Sequence, residues 1–310
     1  MNWTNNFYSL FLQSMTQHPL LSVEGLPFEI RTISSGDQHM KGLFATQAIS
    51  VGELIIAEKP LFLCRGDFSS AFNKLTDTDK ELYMSYSDAY STSEADKTIN
   101  GIGRTNGLPL QDRGGAVGFF PLCSLFNHSC KPNVTHRFHP KQLTEKFFAV
   151  RDIAAGEQLT TCYADVHDTL SRRRAMIHRR FSFNCGCDFC SHLEGDAKAQ
   201  AISDKNRATL LQLDNGFPNL LYNSKDAIAL TDERIELMKQ EGLEYLISSA
   251  YYDTFQITVA YGRLTRCAKE FVQKAHEWAV LHYGDDSDLA QKYLVYVNNP
   301  TSHKNAGLLG

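Results

Sequence analysis

The stretch LFNHSCKPNV, Leu125–Val134, holds an Asn, a His and a Cys within four positions, followed by a Pro and a second Asn. Two later segments carry related signals: GEQLTTCY, which ends at Tyr163, and CGCDFC, Cys185–Cys190. Taken alone, an Asn-His pair is typical of a turn and a single Cys of a core position. The three segments together, in this order, indicate one shared site.

The CGCDFC segment has the spacing of a metal site. Cys185, Cys187 and Cys190 supply three thiols within six residues. A structural zinc ion needs four ligands in a tetrahedron, so a fourth ligand must come from elsewhere in the chain. His192 is one candidate for that ligand. Redox pairing of the cysteines and three free core cysteines are the alternative interpretations.

Composition bounds the class of protein. The chain has 310 residues, enough for one large or two modest domains, and 43% apolar with 21% charged residues is ordinary for a globular protein. The net charge of −4 argues against a general nucleic-acid binder. The N-terminal stretch lacks the pattern of a signal peptide, and no run reaches the roughly 18 apolar residues of a membrane span. We therefore expect an intracellular protein, cytoplasmic and/or nuclear, with no membrane partner.

The first half of the chain alternates between strand and helix patterns. Residues 1–26 form an N-terminal extension in which Phe7, Leu10, Phe11 and Met15 recur at helical spacing. From Phe28 onward, short runs with alternating apolar and polar residues predict short strands separated by tight turns. A helical pattern follows at 68–98, and the Gly-rich segment 99–121 is predicted to be loop.

The second half changes from strands to helices. Strand, turn and strand are predicted for FFAVRDIAAGEQLTTCYAD, with Gly156-Glu157 at the turn. HDTLSRRRAMIHRRF is a helix pattern whose basic run is more typical of a solvated face than of a recognition patch, although an acidic substrate or partner stays open. From about Gly195 the pattern is helical, most clearly in RLTRCAKEFVQKAHEWAVLHYG, which ends at Gly284.

In order and spacing, these motifs resemble the signature of SET-domain methyltransferases, most closely that of the SMYD-type subfamily and its fungal relatives. The resemblance covers about residues 28–192. It implies an α+β SET fold of short-stranded β-sheets, with a pseudoknot formed by Leu125–Val134, a helical insert and a cysteine-rich post-SET zinc knuckle. SMYD-type proteins also carry a zinc-binding MYND module, which this chain lacks because no Cys-rich stretch lies between Cys64 and Cys123.

Four regions follow from the resemblance. They are an N-terminal extension, a SET domain with its helical insert at about 68–98, a post-SET zinc region and a helical C-terminal lobe, at 1–26, 27–167, 168–194 and 195–310 respectively. The last region weakly resembles the TPR-like lobe that narrows the substrate cleft in SMYD-type proteins. No strict 34-residue repeat is visible, so a plain helical support is an equal alternative.

The resemblance also implies the cofactors and site residues. S-adenosylmethionine would be bound by eight residues from several parts of the chain: Lys41, Gly42, Leu43, Asn106, Asn127, His128, Tyr163 and Phe183. Zinc would be held by Cys130, Cys185, Cys187 and Cys190. Tyr163 and Phe181 would shape the active site and the channel for the target lysine.

Two departures from the family pattern keep three functional hypotheses open. Met40 replaces the first Gly of the usual Gly-x-Gly, and Phe181 stands where many SMYD-type members have Tyr. The first hypothesis is an S-adenosylmethionine-dependent protein-lysine methyltransferase acting on a histone or non-histone substrate. The second is a SET-fold scaffold without methyl transfer, and the third is a SET fold redirected to a small molecule.

Overall fold

The computed structural model describes residues 18–35, 38–110 and 114–309. The helix predicted from Phe7 to Met15 lies outside the described residues. The strands in the described part of the chain are β1 Phe28–Ser35, β2 Gln38–Ala45, β3 Leu54–Glu58, β4 Phe62–Cys64, β5 Leu108–Pro109, β6 Val117–Phe119, β7 Asn127–His128, β8 Val134–His139, β9 Thr144–Ala149 and β10 Gln158–Thr161.

The helices belong to an early insert, to the segment after β10 and to the C-terminal lobe. They are α1 Phe68–Phe72, α2 Asp77–Met84, α3 Ile99–Asn106, α4 Leu170–Phe181, α5 Asp188–Gly195, α6 Ala197–Gly216, α7 Ser224–Glu241, α8 Ile247–Thr258, α9 Thr265–Tyr283 and α10 Asp288–Asn298. No helix of the described residues combines the length and the apolar character needed to cross a bilayer. The predicted α+β class is confirmed, whereas the exact domain boundaries stay predictions.

Three small sheets form the β portion. Their strand orders are β1-β2-β10-β7, β3-β9-β8 and β4-β6-β5. The strands pair antiparallel except β7, which lies parallel to β10 with Asn127 opposite Thr160 and His128 opposite Thr161. This one parallel pairing brings the NHSC segment against the strand that leads to Tyr163. The sequence motifs at 125–134 and 156–163 are therefore neighbours in space.

The side chain of Asn133 holds these two segments together. It is almost completely buried. Its Oδ1 accepts the Thr160 N–H at 2.8 Å, and its Nδ2 donates to the Gln158 carbonyl at 2.8 Å and to Glu157 Oε1 at 3.0 Å. An amide can donate and accept at once, so it satisfies both kinds of backbone group in a place that water does not reach.

Glu58 fixes the start of the same segment. Its two carboxylate oxygens accept the backbone N–H groups of Leu122 and Cys123 at 2.9 and 2.7 Å. Burial raises the pKa of Glu58 to about 7, even though both N–H groups favour the charged form. The segment before Asn127 is thus anchored to the end of β3.

The prediction of a loop at 99–121 is wrong over α3. Thr98 caps this helix by accepting the Gly101 N–H at 2.9 Å. The glycines inside it serve packing, because a Cβ built on Gly101 would lie 2.0 Å from Asp88 Oδ2 and one on Gly103 would lie 2.3 Å from the Phe68 ring. Composition alone suggested a turn, since glycine is ordinarily unfavourable within a helix.

The C-terminal lobe packs on the sheet formed by β3, β9 and β8. Helix α9 lies against β8 and β9. Asp286, just after α9, pairs with Lys146 of β9 at 2.6 Å. Gly52 approaches the same helix so closely that a Cβ there would lie 2.5 Å from Leu281. The lobe therefore supports the sheet directly, which fits the helical-support interpretation.

The helix end predicted at Gly284 is confirmed, and glycines or capping side chains mark other helix ends as well. Gly242 ends α7 with a φ of 70°, Gly284 follows α9, and Ser287 caps α10. Thr169 caps the N-terminus of α4. The last described residues pack back on the lobe, where the Leu309 N–H donates to the Ala260 carbonyl at 2.9 Å.

Replacing Asn133 tests how strongly its side chain holds the NHSC segment against β10. Asn133→Ala removes the four hydrogen bonds of the side-chain amide, including one from the Thr160 hydroxyl, and leaves buried backbone groups unpaired. It should therefore lower the free energy of unfolding by about 2–4 kcal/mol. Urea unfolding measures this change. Asn215→Ala, at an exposed position on α6, is the matched control and should change stability by less than about 0.5 kcal/mol. Equal effects of the two substitutions would contradict the proposed role of Asn133.

Candidate active site and metal centre

A chain of contacts joins Tyr163 to the cysteines through His128. The Tyr163 N–H donates to His128 Nδ1 at 2.9 Å, and His128 Nε2 lies 3.2 Å from Cys130 Sγ. Burial lowers the pKa of His128 to about 4, so the ring is neutral near pH 7. Because Nδ1 accepts a hydrogen bond, the single ring proton is on Nε2 and faces the sulfur.

Tyr163 and Phe181 form an aromatic pair beside the paired strands β7 and β10. Their ring centroids are 4.9 Å apart, and the Tyr163 hydroxyl donates to the Phe126 carbonyl. Burial raises the pKa of Tyr163, so its hydroxyl is protonated at neutral pH. Tyr163 is therefore a hydrogen-bonding group in this site and not a ready general base.

The position of Phe181 depends on the end of α4. Ser182 follows Phe181 in the left-handed region, with a φ of 57°. The Ser182 hydroxyl donates to the Ala89 carbonyl in the helical insert. This contact joins the insert to the end of α4, directly beside the aromatic pair.

Lys41, Gly42 and Asn127 meet at another part of the site, which we call the corner. The Asn127 Nδ2 donates to the Lys41 carbonyl at 3.0 Å. A Cβ built on Gly42 would lie 2.8 Å from Asn127 Nδ2, so the absence of a side chain at Gly42 is what permits this contact. Met40 sits in the regular β1–β2 pairing opposite Ile33 with an exposed side chain. The strand accommodates this departure without a glycine.

The other residues assigned to the cofactor, Leu43, Asn106 and Phe183, make separate contacts. Leu43 is fully buried between β1 and β10 as a core residue. Asn106 ends α3, where its Nδ2 donates to the Ser87 and Ile102 carbonyls at 2.7 and 2.8 Å. Phe183 is half-buried against the cysteine cluster. The structure thus brings together most, but not all, of the residues that the resemblance singled out.

Four cysteines converge on one point. The sulfur atoms of Cys130, Cys185, Cys187 and Cys190 all lie within 4.8 Å of one another. A tetrahedral zinc site with Zn–S bonds of about 2.3 Å separates its sulfurs by about 3.8 Å, so this set fits the ion. The four cysteines are free rather than disulfide-bonded. His192 is exposed and does not belong to the group, which leaves Cys130 as the fourth candidate ligand.

Two buried arginines beside the cysteines escaped the sequence analysis. Arg173 and Arg207 are both fully buried, and their guanidinium groups lie 5.7 and 5.5 Å from the ring centroid of Phe189. The basic run of α4 was interpreted as a solvated face, and this is wrong for Arg173. A signal existed, since Arg173 shares helical spacing with the buried Leu170 and Ile177.

Comparison with known proteins identifies the family. Residues 40–164 match the SET domain family model. The histone-lysine N-methyltransferase set5 of Schizosaccharomyces pombe is 32% identical over 267 residues, which cover 84% of this chain and 82% of that protein. The chain belongs to the SET-domain methyltransferase family. The predicted fold class and the enzyme class are therefore confirmed.

Shorter matches reach the SMYD proteins. The histone-lysine N-methyltransferase SMYD3 of Mus musculus is 42% identical over 81 residues, or 26% of this SET-domain chain and 18% of that protein. The histone-lysine N-methyltransferase SMYD1 of Homo sapiens is 27% identical over 161 residues, or 47% of this chain and 31% of that protein. The chain thus spans less than a third of the length of either SMYD relative.

A Cβ at Gly42 should disturb the contact between Lys41 and Asn127 without unfolding the protein. Gly42→Ala places a methyl group 2.8 Å from the ends of the Asn127, Gln158 and Ile33 side chains, which can move aside. Losing the Asn127 hydrogen bond should weaken binding of S-adenosylmethionine about tenfold in calorimetric titration. Gly216→Ala is the control, because its Cβ would meet open space. Unchanged affinity in Gly42→Ala would show that the corner is not part of the cofactor site.

Proposed function

We propose that this SET-domain protein transfers a methyl group from S-adenosylmethionine to a lysine side chain of a protein substrate. The observation that carries the proposal is the aromatic pair of Tyr163 and Phe181, with the Tyr163 hydroxyl on the Phe126 carbonyl. Relatives named histone-lysine N-methyltransferases support histones as the first substrate class to test. A histone substrate would place the protein in the nucleus, and a non-histone substrate would allow a cytoplasmic location.

The aromatic walls would prepare the lysine. A free lysine amine has a pKa of about 10.4 and is charged at neutral pH, whereas only the neutral amine carries the lone pair that attacks a methyl group. Rings such as Tyr163 and Phe181 exclude water, and desolvation disfavours the charged form of an amine. The pair would therefore help the amine to lose its proton to solvent on entry.

The Tyr163 hydroxyl would orient that amine. Its proton is given to the Phe126 carbonyl, so its oxygen lone pairs can accept an N–H of the substrate. An amine held in this way directs its own lone pair away from Tyr163. Phe181 adds no second hydroxyl to the channel. We therefore expect the channel to set only a weak limit on the number of methyl groups added to the lysine.

The corner of Lys41, Gly42 and Asn127, with His128 nearby, would hold the cofactor. S-adenosylmethionine supplies an electrophilic methyl group on its sulfonium when bound. Lys41 would face the cofactor's carboxylate, and Asn127 would be held in place by its bond to the Lys41 carbonyl. Zinc on the four cysteines would fix Cys130, and through it His128, at the edge of this pocket.

Removing the Tyr163 hydroxyl tests the transferase proposal. Tyr163→Phe should lower kcat for histone methylation about 100-fold, because the group that orients the amine is lost. Cofactor affinity should stay near that of the wild type. Methyl transfer from labelled cofactor to a histone and peptide panel measures kcat, and calorimetry measures binding.

Other results of the same assay would redirect the proposal. A folded wild-type protein that binds no S-adenosylmethionine would favour the scaffold hypothesis. Cofactor binding and turnover on a metabolite, but on no protein, would favour the small-molecule hypothesis. Full activity of Tyr163→Phe would remove Tyr163 from the reaction.

Cofactor affinity should depend on pH through Lys41. Burial lowers the pKa of Lys41 to about 8, so its positive charge is present below that pH and is lost above it. If Lys41 attracts the cofactor carboxylate, affinity should fall about tenfold between pH 7 and pH 9 in calorimetric titrations. Lys41→Arg keeps its charge over this range and should abolish the decline. A decline that persists in Lys41→Arg would exclude Lys41 as its source.

A further inference from the structure

Arg173 is a buried cation whose charge no carboxylate in the described part of the chain balances. Its side chain is 0% exposed, and its Nη1 donates to the Asp168 carbonyl at 2.6 Å. Its Nε and Nη2 are buried and make no directed hydrogen bond. A buried charge without a partner is strongly destabilising, so an anionic group should face this guanidinium.

Arg207 provides an internal comparison. It is equally buried and flanks the same ring of Phe189. Unlike Arg173, it has a carboxylate partner, since its Nε donates to Glu241 Oε2 at 2.9 Å. It also donates to the Val166 carbonyl at 2.6 Å and to the Cys130 carbonyl at 3.3 Å. The charge of Arg207 is thus balanced within the lobe, and that of Arg173 is not.

Arg173 faces the cysteine cluster. Leu170 and Ile177, on the same face of α4, pack in one cluster with Cys130, Cys185 and Cys190, and the Arg173 guanidinium lies 5.7 Å from the ring of Phe189 within the CGCDFC segment. Four neutral thiols would give a buried guanidinium little compensation. Four thiolates around one Zn²⁺ carry a net charge of −2, which is the kind of anion that this position requires.

We propose that Arg173 is a positioning residue for the metal centre, which balances part of the negative charge of the zinc tetrathiolate. The inference rests on the proposed zinc site and goes beyond the identity of its ligands. Hydrogen bonds and charge around ligand sulfurs stabilise a metal site, and losing such a partner typically costs about 10- to 100-fold in metal affinity.

The test compares two substitutions that differ in charge. Arg173→Gln keeps hydrogen-bonding capacity but removes the charge, whereas Arg173→Lys keeps the charge. Zinc-loaded protein is mixed with excess chelator, and the released zinc is followed with a metal-sensitive dye. Arg173→Gln should release zinc about 10- to 100-fold faster than the wild type, with Arg173→Lys much closer to the wild type.

The neighbouring Arg172 provides a matched control. It is exposed on the same helix and has no ion pair among the described residues. Arg172→Gln should therefore release zinc at the wild-type rate. Cobalt substitution adds a spectroscopic signature, because removing a positive charge near the sulfurs should move the thiolate-to-cobalt absorption of Arg173→Gln to longer wavelength.

Each outcome separates this inference from the zinc site itself. Wild-type protein that contains no zinc by elemental analysis would overturn the metal centre. Wild-type protein with zinc, and equal release from Arg173→Gln and Arg173→Lys, would overturn only the role of Arg173. If Arg173→Gln cannot fold in zinc-containing buffer but Arg173→Lys can, the requirement for charge is supported. If neither folds, the shape of the arginine matters and the inference is overturned.

Discussion

The buried amide of Asn133 is the contact on which the rest of the site depends. It binds backbone groups of β10 from Gln158 to Thr160, and so keeps the NHSC segment parallel to a strand about thirty residues later in the chain. No local turn could bring these segments together. The parallel pairing of β7 with β10 sets Asn127 against the backbone of β2 and His128 against Tyr163. The relative positions of the proposed site residues depend on that register, because Asn127 and His128 form β7 and Tyr163 follows β10.

The cysteine cluster closes the same arrangement from the other side. Cys130 comes from the NHSC segment, and the other three cysteines come from the segment after α4. The His128 ring connects the two: its Nε2 contacts the sulfur of Cys130, and its Nδ1 accepts the backbone N–H of Tyr163. Direct contacts therefore join the cysteine cluster to the proposed active site, and the two form one structural unit.

Arg207 extends this unit into the C-terminal lobe. It projects from α6 and donates to the carbonyl of Cys130, while Glu241 of α7 balances its charge. Helix α9 supports the sheet that carries β8 and β9. The lobe thus has a structural part in the site, whatever part it takes in choosing a substrate. The buried charge of Arg207 is tolerated because the Glu241 carboxylate and two backbone carbonyl groups face it.

The sequence by itself determined the family, the strand and helix classes of most segments, and the cysteine and tyrosine motifs, because these depend on local spacing and residue type. Tertiary structure decided what depends on distant neighbours. Gly101 and Gly103 lie in a helix because of what packs against them, and Leu43 is a core residue because strands lie on both sides of it. Arg173 looked solvated within a basic run, yet it is buried, since only the folded chain packs its face of α4 against the cysteine cluster. Burial and charge balance are properties of the assembled chain, and local patterns do not encode them.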